Sequence, residues 1–241
     1  KKMDRKGNPW GLSKREREKW TKELDFPIKR IKKEPAEYLY WVGCAGALDT
    51  RAQKVTQSMA RLMTKAGVDF GILGKDESCT GDSARRLGDE YLFQQMAEKN
   101  VETLNSAGVK KIVTHCPHCF NTLKNEYTQF GGHYEVIHHS ELLSQLMKEG
   151  KLTAGADSEA ASQKIVYHDS CYLGRYNEIY DPQRDIIDAM PGVTRVESER
   201  HHQKGLCCGA GGGQMWMEMD LGERINYVRT DELLETKPDV I

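Results

Sequence analysis

Cysteine is the residue whose type and spacing could do chemistry here, either thiolate ligation of a metal centre or thiol redox. Cys44, Cys79, Cys116 and Cys119 form one set, and Cys171, Cys207 and Cys208 begin a second. SCTGD (78–82) falls on LCCGA (206–210), and VKKIV (109–113) on KPDVI (237–241), both at an offset of 128 residues. In that register the counterparts of Cys116 and Cys119 fall just beyond Ile241. The odd count of seven is therefore expected of a second copy lacking its final Cys-x-x-Cys. The sequence also opens at Lys1 without an initiator Met, and both ends read as those of a fragment.

Four roles compete for these thiols. Core packing accounts for one or two buried cysteines, but not for seven at matching places in two copies. A thioredoxin-like dithiol fits Cys116-Pro117-His118-Cys119, because a helix N-terminus stabilises a thiolate, yet it leaves Cys44, Cys79 and the second copy unused. A structural zinc site fits the number four, although such sites usually draw on two short-spaced pairs and only one is present. Iron–sulfur ligation accommodates thiolates gathered from distant loops and favours a donor-rich surround.

Glycine bears on that choice. Gly209-Ala210-Gly211-Gly212-Gly213 is a poor nucleotide loop, since GxGxxG would need glycine where Gln214 stands. As a wall around an anionic centre it makes sense: glycine lets backbone approach closely and turn N–H groups inward. Gly81, in Cys79-Thr80-Gly81-Asp82, occupies the place of Gly209 in the first copy. Gly81, Gly209, Gly211 and Gly212 are thus candidate cofactor-binding residues. His115, His118, His138, His139 and His168 fall near predicted strand ends, as proton carriers, sulfur donors or ordinary packing residues. His201 and His202 read as solvated. Arg85, Arg86 and Arg175 could offset cluster charge, and surface ion pairs are the plainer account.

The elements that position these residues alternate. YLYWVG, VDFGIL, KKIVTH and YEVIHH read as strands of the first copy, and KIVYHDS, VTRVES and PDVI as strands of the second. Between them lie helical segments. Val55, Met59, Leu62 and Met63 mark one; SARRLGDEYLFQQMAEKNVETLNSAG, with Asp82 or Ser83 as N-cap, reads as a single long one; SELLSQLMKEG closes the copy. In the second copy QRDIIDAM is a short helix and MWMEMDLGERINYVRTDELLE a long one. This order predicts an α/β protein of two related halves, each a small parallel sheet flanked by helices, with the cysteines at the carboxyl ends of strands. The expected layout is a charged linker or docking arm over 1–37, a first repeat over 38–150, a Gly/Ala/Ser-rich joint over 151–163, and a truncated second repeat over 164–241.

With 241 residues the chain can bury a core without disulfide staples. A formal net charge of −1 argues against a nucleic-acid surface. The absence of a long apolar run or signal peptide reads as cytoplasmic, where thiols stay reduced.

The pattern Cys44, Cys79-Thr80-Gly81, Cys116-Pro117-His118-Cys119, repeated as Cys171, Cys207-Cys208-Gly209, resembles the cysteine-rich CCG domain family typified by the B subunit of heterodisulfide reductase. NPWG, YWVGCAGA, ESCTGDSARRLGDEYLFQQ and CPHCFNTLKNEY most resemble the iron–sulfur-binding reductases that link electron-transferring flavoprotein to menaquinone. The resemblance spans about residues 8–241. It implies an iron–sulfur oxidoreductase module on the cytoplasmic side, working with a flavoprotein-like redox partner and with an upstream ferredoxin-like or membrane segment. The family's five-cysteine motif is associated with a noncubane [4Fe–4S] centre, implied for the second repeat at full length. The first repeat departs from it at Thr80, and its four thiolates imply a conventional [4Fe–4S] cluster. Reductive cleavage of a disulfide and a zinc-stabilised interaction module are the alternative functions.

Overall fold

The structure, a computed structural model, describes residues 2–155, 162–217 and 222–241. In chain order the first part carries α1 (Lys2–Lys6), β1 (Lys29–Arg30), β2 (Tyr38–Trp41), α2 (Gly43–Leu48), α3 (Thr50–Lys65) and β3 (Phe70–Ile72). It continues with α4 (Asp82–Arg86), α5 (Glu90–Ser106), β4 (Lys111–Thr114), α6 (Pro117–Asn121), β5 (Glu135–His138) and α7 (His139–Lys148). The second part carries β6 (Gln163–Val166), α8 (Gly174–Asn177), α9 (Asp181–Asp188), β7 (Val193–Val196) and α10 (Ile225–Leu234). Two compact units divide within α7, Lys1–Leu142 and Leu143–Ile241.

In the first unit β1 to β5 form one parallel sheet in the order β1-β3-β2-β4-β5. Its central strands are apolar runs with little alternation, as strands covered on both faces require, and Leu39, Tyr40, Trp41, Ile112 and Val113 are fully buried. Because all strands are parallel, their carboxyl ends lie on one edge, and the loops leaving that edge converge. In the second unit β6 and β7 pair in parallel. The expected strand PDVI amounts to a parallel bridge between Ile165 and Val240.

Three of the expected helix features differ from the structure. The helix expected from Ser83 onward is broken: Gly88 turns left-handed (φ 87°), and Asp89 caps a fresh start at α5 by accepting the Leu92 N–H at 3.1 Å. The N-cap of α4 is Gly81 rather than Asp82 or Ser83. The long helix expected from Met215 is a 3-10 turn over Gln214–Trp216 followed, after residues 218–221 outside the described set, by α10.

The cation-rich segment before β2, expected as a linker or docking arm, is packed in its middle. A 3-10 helix over Lys14–Glu23 buries Trp20 edge-on against Tyr40 at 6.5 Å, and β1 adds an edge strand beside β3. The charge count hid this because one aromatic ring and one buried ion pair anchor the segment. Of the Gly/Ala/Ser-rich stretch 151–163, residues 156–161 lie outside the described set.

Candidate metal centre

Three loops of the first unit bring four thiols together. Cys44 lies in the first turn of α2, just past β2; Cys79 lies between β3 and α4; Cys116 follows β4 and caps α6, accepting the Cys119 N–H at 3.5 Å. Cys44 and Cys79 share a buried cluster with Met96, covered by Met3, Trp10 and Leu92. Gly43 makes room for the meeting. Its φ is 76°, and a Cβ there would stand 3.4 Å from Cys119 Sγ and 3.8 Å from Cys116 Cβ. Cys119 in turn feels both Cys79 and Cys44 electrostatically. Thr80, where the family pattern has a cysteine, instead sets its hydroxyl 4.0 Å from Cys119 Sγ.

The thiols titrate as two coupled pairs, Cys44 with Cys79 and Cys116 with Cys119. Among the described residues no three cysteine sulfurs lie within 4.8 Å of one another. A single tetrahedral zinc, with Zn–S of about 2.3 Å, gathers its sulfurs to about 3.8 Å.

In each pair one thiol is activated and the other suppressed. Cys44 is held below its ordinary value by the hydrogen bond from Cys79 and, despite burial, by the Arg17 charge; Cys79 is pushed well above by the same bond and by burial. Cys116 is drawn down to about 6 by the hydrogen bond from Cys119, with help from His118 and the backbone N–H groups opening α6. The Gly81 backbone N–H lowers Cys79, but less than Cys44 and burial raise it.

Several residues that build this site went unnoticed in the sequence. Glu77 accepts the backbone N–H of Val42 at 3.0 Å and of Gly43 at 2.8 Å, clamping the turn that presents Cys44. Arg17 donates to Glu77 at 2.5 Å and to Cys44 Sγ at 3.5 Å. Burial pushes the Glu77 carboxyl up, yet the three donors aimed at it are those a carboxylate needs. On α5, Asn100 holds the Cys79 carbonyl at 2.9 Å and the Tyr127 hydroxyl at 2.8 Å, and Tyr127 donates to the Thr80 carbonyl at 3.0 Å. A buried Glu or Asn between hydrophobic runs was the available signal.

The histidines have other partners than sulfur. Tyr40 Oη lies 2.8 Å from His115 Nδ1, and His118 Nδ1 lies 2.8 Å from Asp82 Oδ2. His138 Nδ1 meets Ser140 Oγ at 2.7 Å, and His139 Nδ1 meets His138 Nε2 at 3.2 Å. Arg85 and Arg86 both pair with Glu126.

In the second unit Cys171 follows β6, and Cys207 and Cys208 lie in the loop after β7, all half-buried. Burial, then the neighbouring Cys207 and Cys208, raise Cys171 above its ordinary value. Gly209 donates its N–H to Cys207 Sγ at 3.4 Å. Gly211 and Gly212 carry the following turn, with Gly212 at φ 62° and the Gly211 carbonyl accepting from Gln214 at 3.2 Å. His168 Nδ1 accepts from Arg229 at 3.0 Å, and Arg175 donates to the Gly205 carbonyl. His201 and His202, expected to be solvated, are half-buried, with Nδ1 atoms 2.5 Å apart and Glu197 beside them. Both Glu197 oxygens already accept from Arg184, and one also from Arg195.

Thiol-bearing loops on the carboxyl edge of a parallel sheet, repeated along one chain, define a cysteine-rich type of domain, and the chain belongs to the cysteine-rich domain (CCG) family, which it matches over residues 38–124 and 165–241. It is 51% identical over 99% of its length to the probable iron–sulfur-binding oxidoreductase FadF of Bacillus subtilis, and 45% identical over 99% to the EtfAB:quinone oxidoreductase of Syntrophomonas wolfei. It covers 34% of each of those proteins. It is also 30% identical over 97% of its length to one polypeptide of the dihydromethanophenazine:CoB–CoM heterodisulfide reductase of Methanosarcina acetivorans, and covers 56% of that polypeptide. No solved structure matches the chain. Among the described residues no helix is long and apolar enough to cross a membrane.

Proposed function

We propose that this chain is the iron–sulfur electron-transfer module of an oxidoreductase. In this reading Cys44, Cys79, Cys116 and Cys119 hold a [4Fe–4S] cluster, and Cys171, Cys207 and Cys208 contribute to a second, noncubane centre. The observation that carries it is the meeting of four thiols from three loops in one site of the first unit, spread as two pairs. When bound, such a cluster supplies one-electron transfer. The chain's own side chains would do the rest. Met96, Trp10 and Leu92 keep water from Cys44 and Cys79, the Gly81 N–H stabilises charge on sulfur, and Gly43 lets the Cys44 loop close on α6.

A flavoprotein donor and a quinone acceptor are the partners this reading favours, supported by the name of the Syntrophomonas relative. An upstream ferredoxin-like or membrane segment and a place at the cytoplasmic face belong to the same proposal. The half-exposed Cys171, Cys207 and Cys208, and the name of the Methanosarcina relative, favour disulfide reduction at the second centre as the alternative.

Anaerobic reconstitution with iron and sulfide, followed by metal analysis and EPR, tests the proposal. The expected product is a brown protein bleached by dithionite, whose first-unit signal disappears in Cys119→Ala. Uptake of zinc but not of iron and sulfide would overturn it. Oxidation of the reduced protein by a quinone analogue, or by a disulfide, separates the two acceptor readings.

A further inference from the structure

We propose that Arg17 sets the reduction potential of the centre in the first unit, through a buried guanidinium held against Cys44 and restrained by Glu77. This rests on the iron–sulfur reading above and assigns a role to a residue outside the matched family region, 38–124.

The placement is specific. Arg17 lies on the 3-10 helix Lys14–Glu23 and is 3% exposed, while Glu77 is 2% exposed. One guanidinium nitrogen donates to Cys44 Sγ at 3.5 Å, and another donates to Glu77 Oε1 at 2.5 Å. Arg17 Nε is buried and, among the described residues, without a hydrogen-bond partner, so the guanidinium's polar contacts there are to Cys44 and Glu77 alone. The helix cannot drift from the site. Trp20 is buried, its carbonyl accepts from Gln57 at 3.2 Å, Glu18 pairs with Arg30 at 2.8 Å, and the Glu23 carbonyl accepts from Arg61 at 2.8 Å.

A fixed positive charge beside a thiolate ligand favours the more negative, reduced form of a cluster, and so raises its potential. The carboxylate works in the opposite sense. The guanidinium touches the sulfur while Glu77 sits behind it, clamping the Val42 and Gly43 N–H groups, so the positive end of the pair faces the ligand. Burial keeps the charge from being screened. An arginine serves where a lysine would not: its planar fork reaches the sulfur and the carboxylate at once, and it stays protonated.

The sign of the effect separates tuning from scaffolding. EPR-monitored redox titrations of the full chain, reconstituted with iron and sulfide, would compare wild type with Arg17→Met, Arg17→Lys and Glu77→Gln. Arg17→Met is expected to lower the midpoint potential, Arg17→Lys to restore part of the loss, and Glu77→Gln to raise it. Iron content per chain is read in parallel. Potentials unchanged in Arg17→Met with iron retained would overturn the proposal, and so would a Glu77→Gln shift in the same direction as Arg17→Met. If Arg17→Met takes up no iron, the Lys and Gln variants decide on the same signs. Failure of all three to load, with circular dichroism unchanged, would make the pair a loading scaffold and also overturn it. A wild-type chain that binds no iron defeats the underlying reading first, which keeps the two failures distinct.

Discussion

Gly209 donates its backbone N–H to the sulfur of Cys207 at 3.4 Å, two residues back along the chain. In the first unit the Gly81 backbone N–H favours the Cys79 thiolate, and the two glycines coincide in the repeat register. Both hold left-handed backbone, φ 71° and φ 88°, which turns the N–H back toward the sulfur. A side chain fits neither place. A Cβ at Gly209 would stand 2.9 Å from the Asn226 backbone nitrogen, and one at Gly81 2.9 Å from Phe93 Cδ2.

Gly81→Ala and Gly209→Ala are therefore each expected to cost about 1–3 kcal/mol in the unit that contains them, as strain at a left-handed position. Gly88→Ala is a control for backbone strain alone, since φ is 87° and a Cβ there meets open space. Urea midpoints of the metal-free protein and iron retained after gel filtration would check this. Gly81→Ala losing no more stability or iron than Gly88→Ala would contradict the role given to the turn.

A second prediction concerns Asp169, two residues before Cys171. Arg184 donates to both of its carboxylate oxygens at 2.8 Å, and the His202 N–H reaches the same group at 2.6 Å. Asp169 and Arg184 are 6% and 5% exposed. Arg184→Met strands a buried carboxylate and is expected to destabilise the second unit by about 3–5 kcal/mol. A double-mutant cycle with Asp169→Asn should recover a large part of that loss. Strict additivity would mean that the pair is not coupled.

The cysteine register was legible because ligand spacing is a property of the chain itself, and the strands were legible because a doubly covered parallel sheet leaves unbroken apolar runs such as Tyr38–Trp41. What escaped were residues whose role exists only in three dimensions. Arg17 looked like one more cation in a charged segment, and Glu77 like part of a loop, until packing placed them 60 residues apart in sequence and 2.5 Å apart in space. The break at Gly88 was missed for a different reason: one glycine inside a strong helical pattern is often tolerated, and the neighbouring Asp89 cap decided otherwise.

Asn100 supplies a third prediction. Its amide bonds the Cys79 carbonyl and the Tyr127 hydroxyl, and its oxygen accepts from Ser78 at 2.7 Å, so three groups around Cys79 depend on one side chain. Asn100→Leu keeps the volume but leaves those groups without their partner, at a cost of about 1–3 kcal/mol for each that stays dry. Tyr127→Phe removes only the bond to the Thr80 carbonyl and its acceptor role, and is expected to cost less. Thermal melting of the two variants orders them, and equal losses would argue that water replaces Asn100.

The last prediction follows from His138, 2% exposed at the end of β5, whose burial lowers its pKa to about 3. Its side chain faces His115, His139 and Ser140, and its backbone N–H donates to Glu141 at 3.0 Å. Unfolded histidine titrates near about 6.5, so the unfolded chain takes up a proton that the folded one refuses. Stability is complete above about pH 6.5 and falls as pH drops toward the folded value, because the unfolded state binds more protons over that window. Between pH 7 and pH 5 this one residue is expected to remove about 2 kcal/mol. His138→Gln should flatten the pH dependence of the urea midpoint by that amount, even if it lowers stability at pH 7. A slope identical to wild type would show that folding does not shift the His138 pKa from its unfolded value.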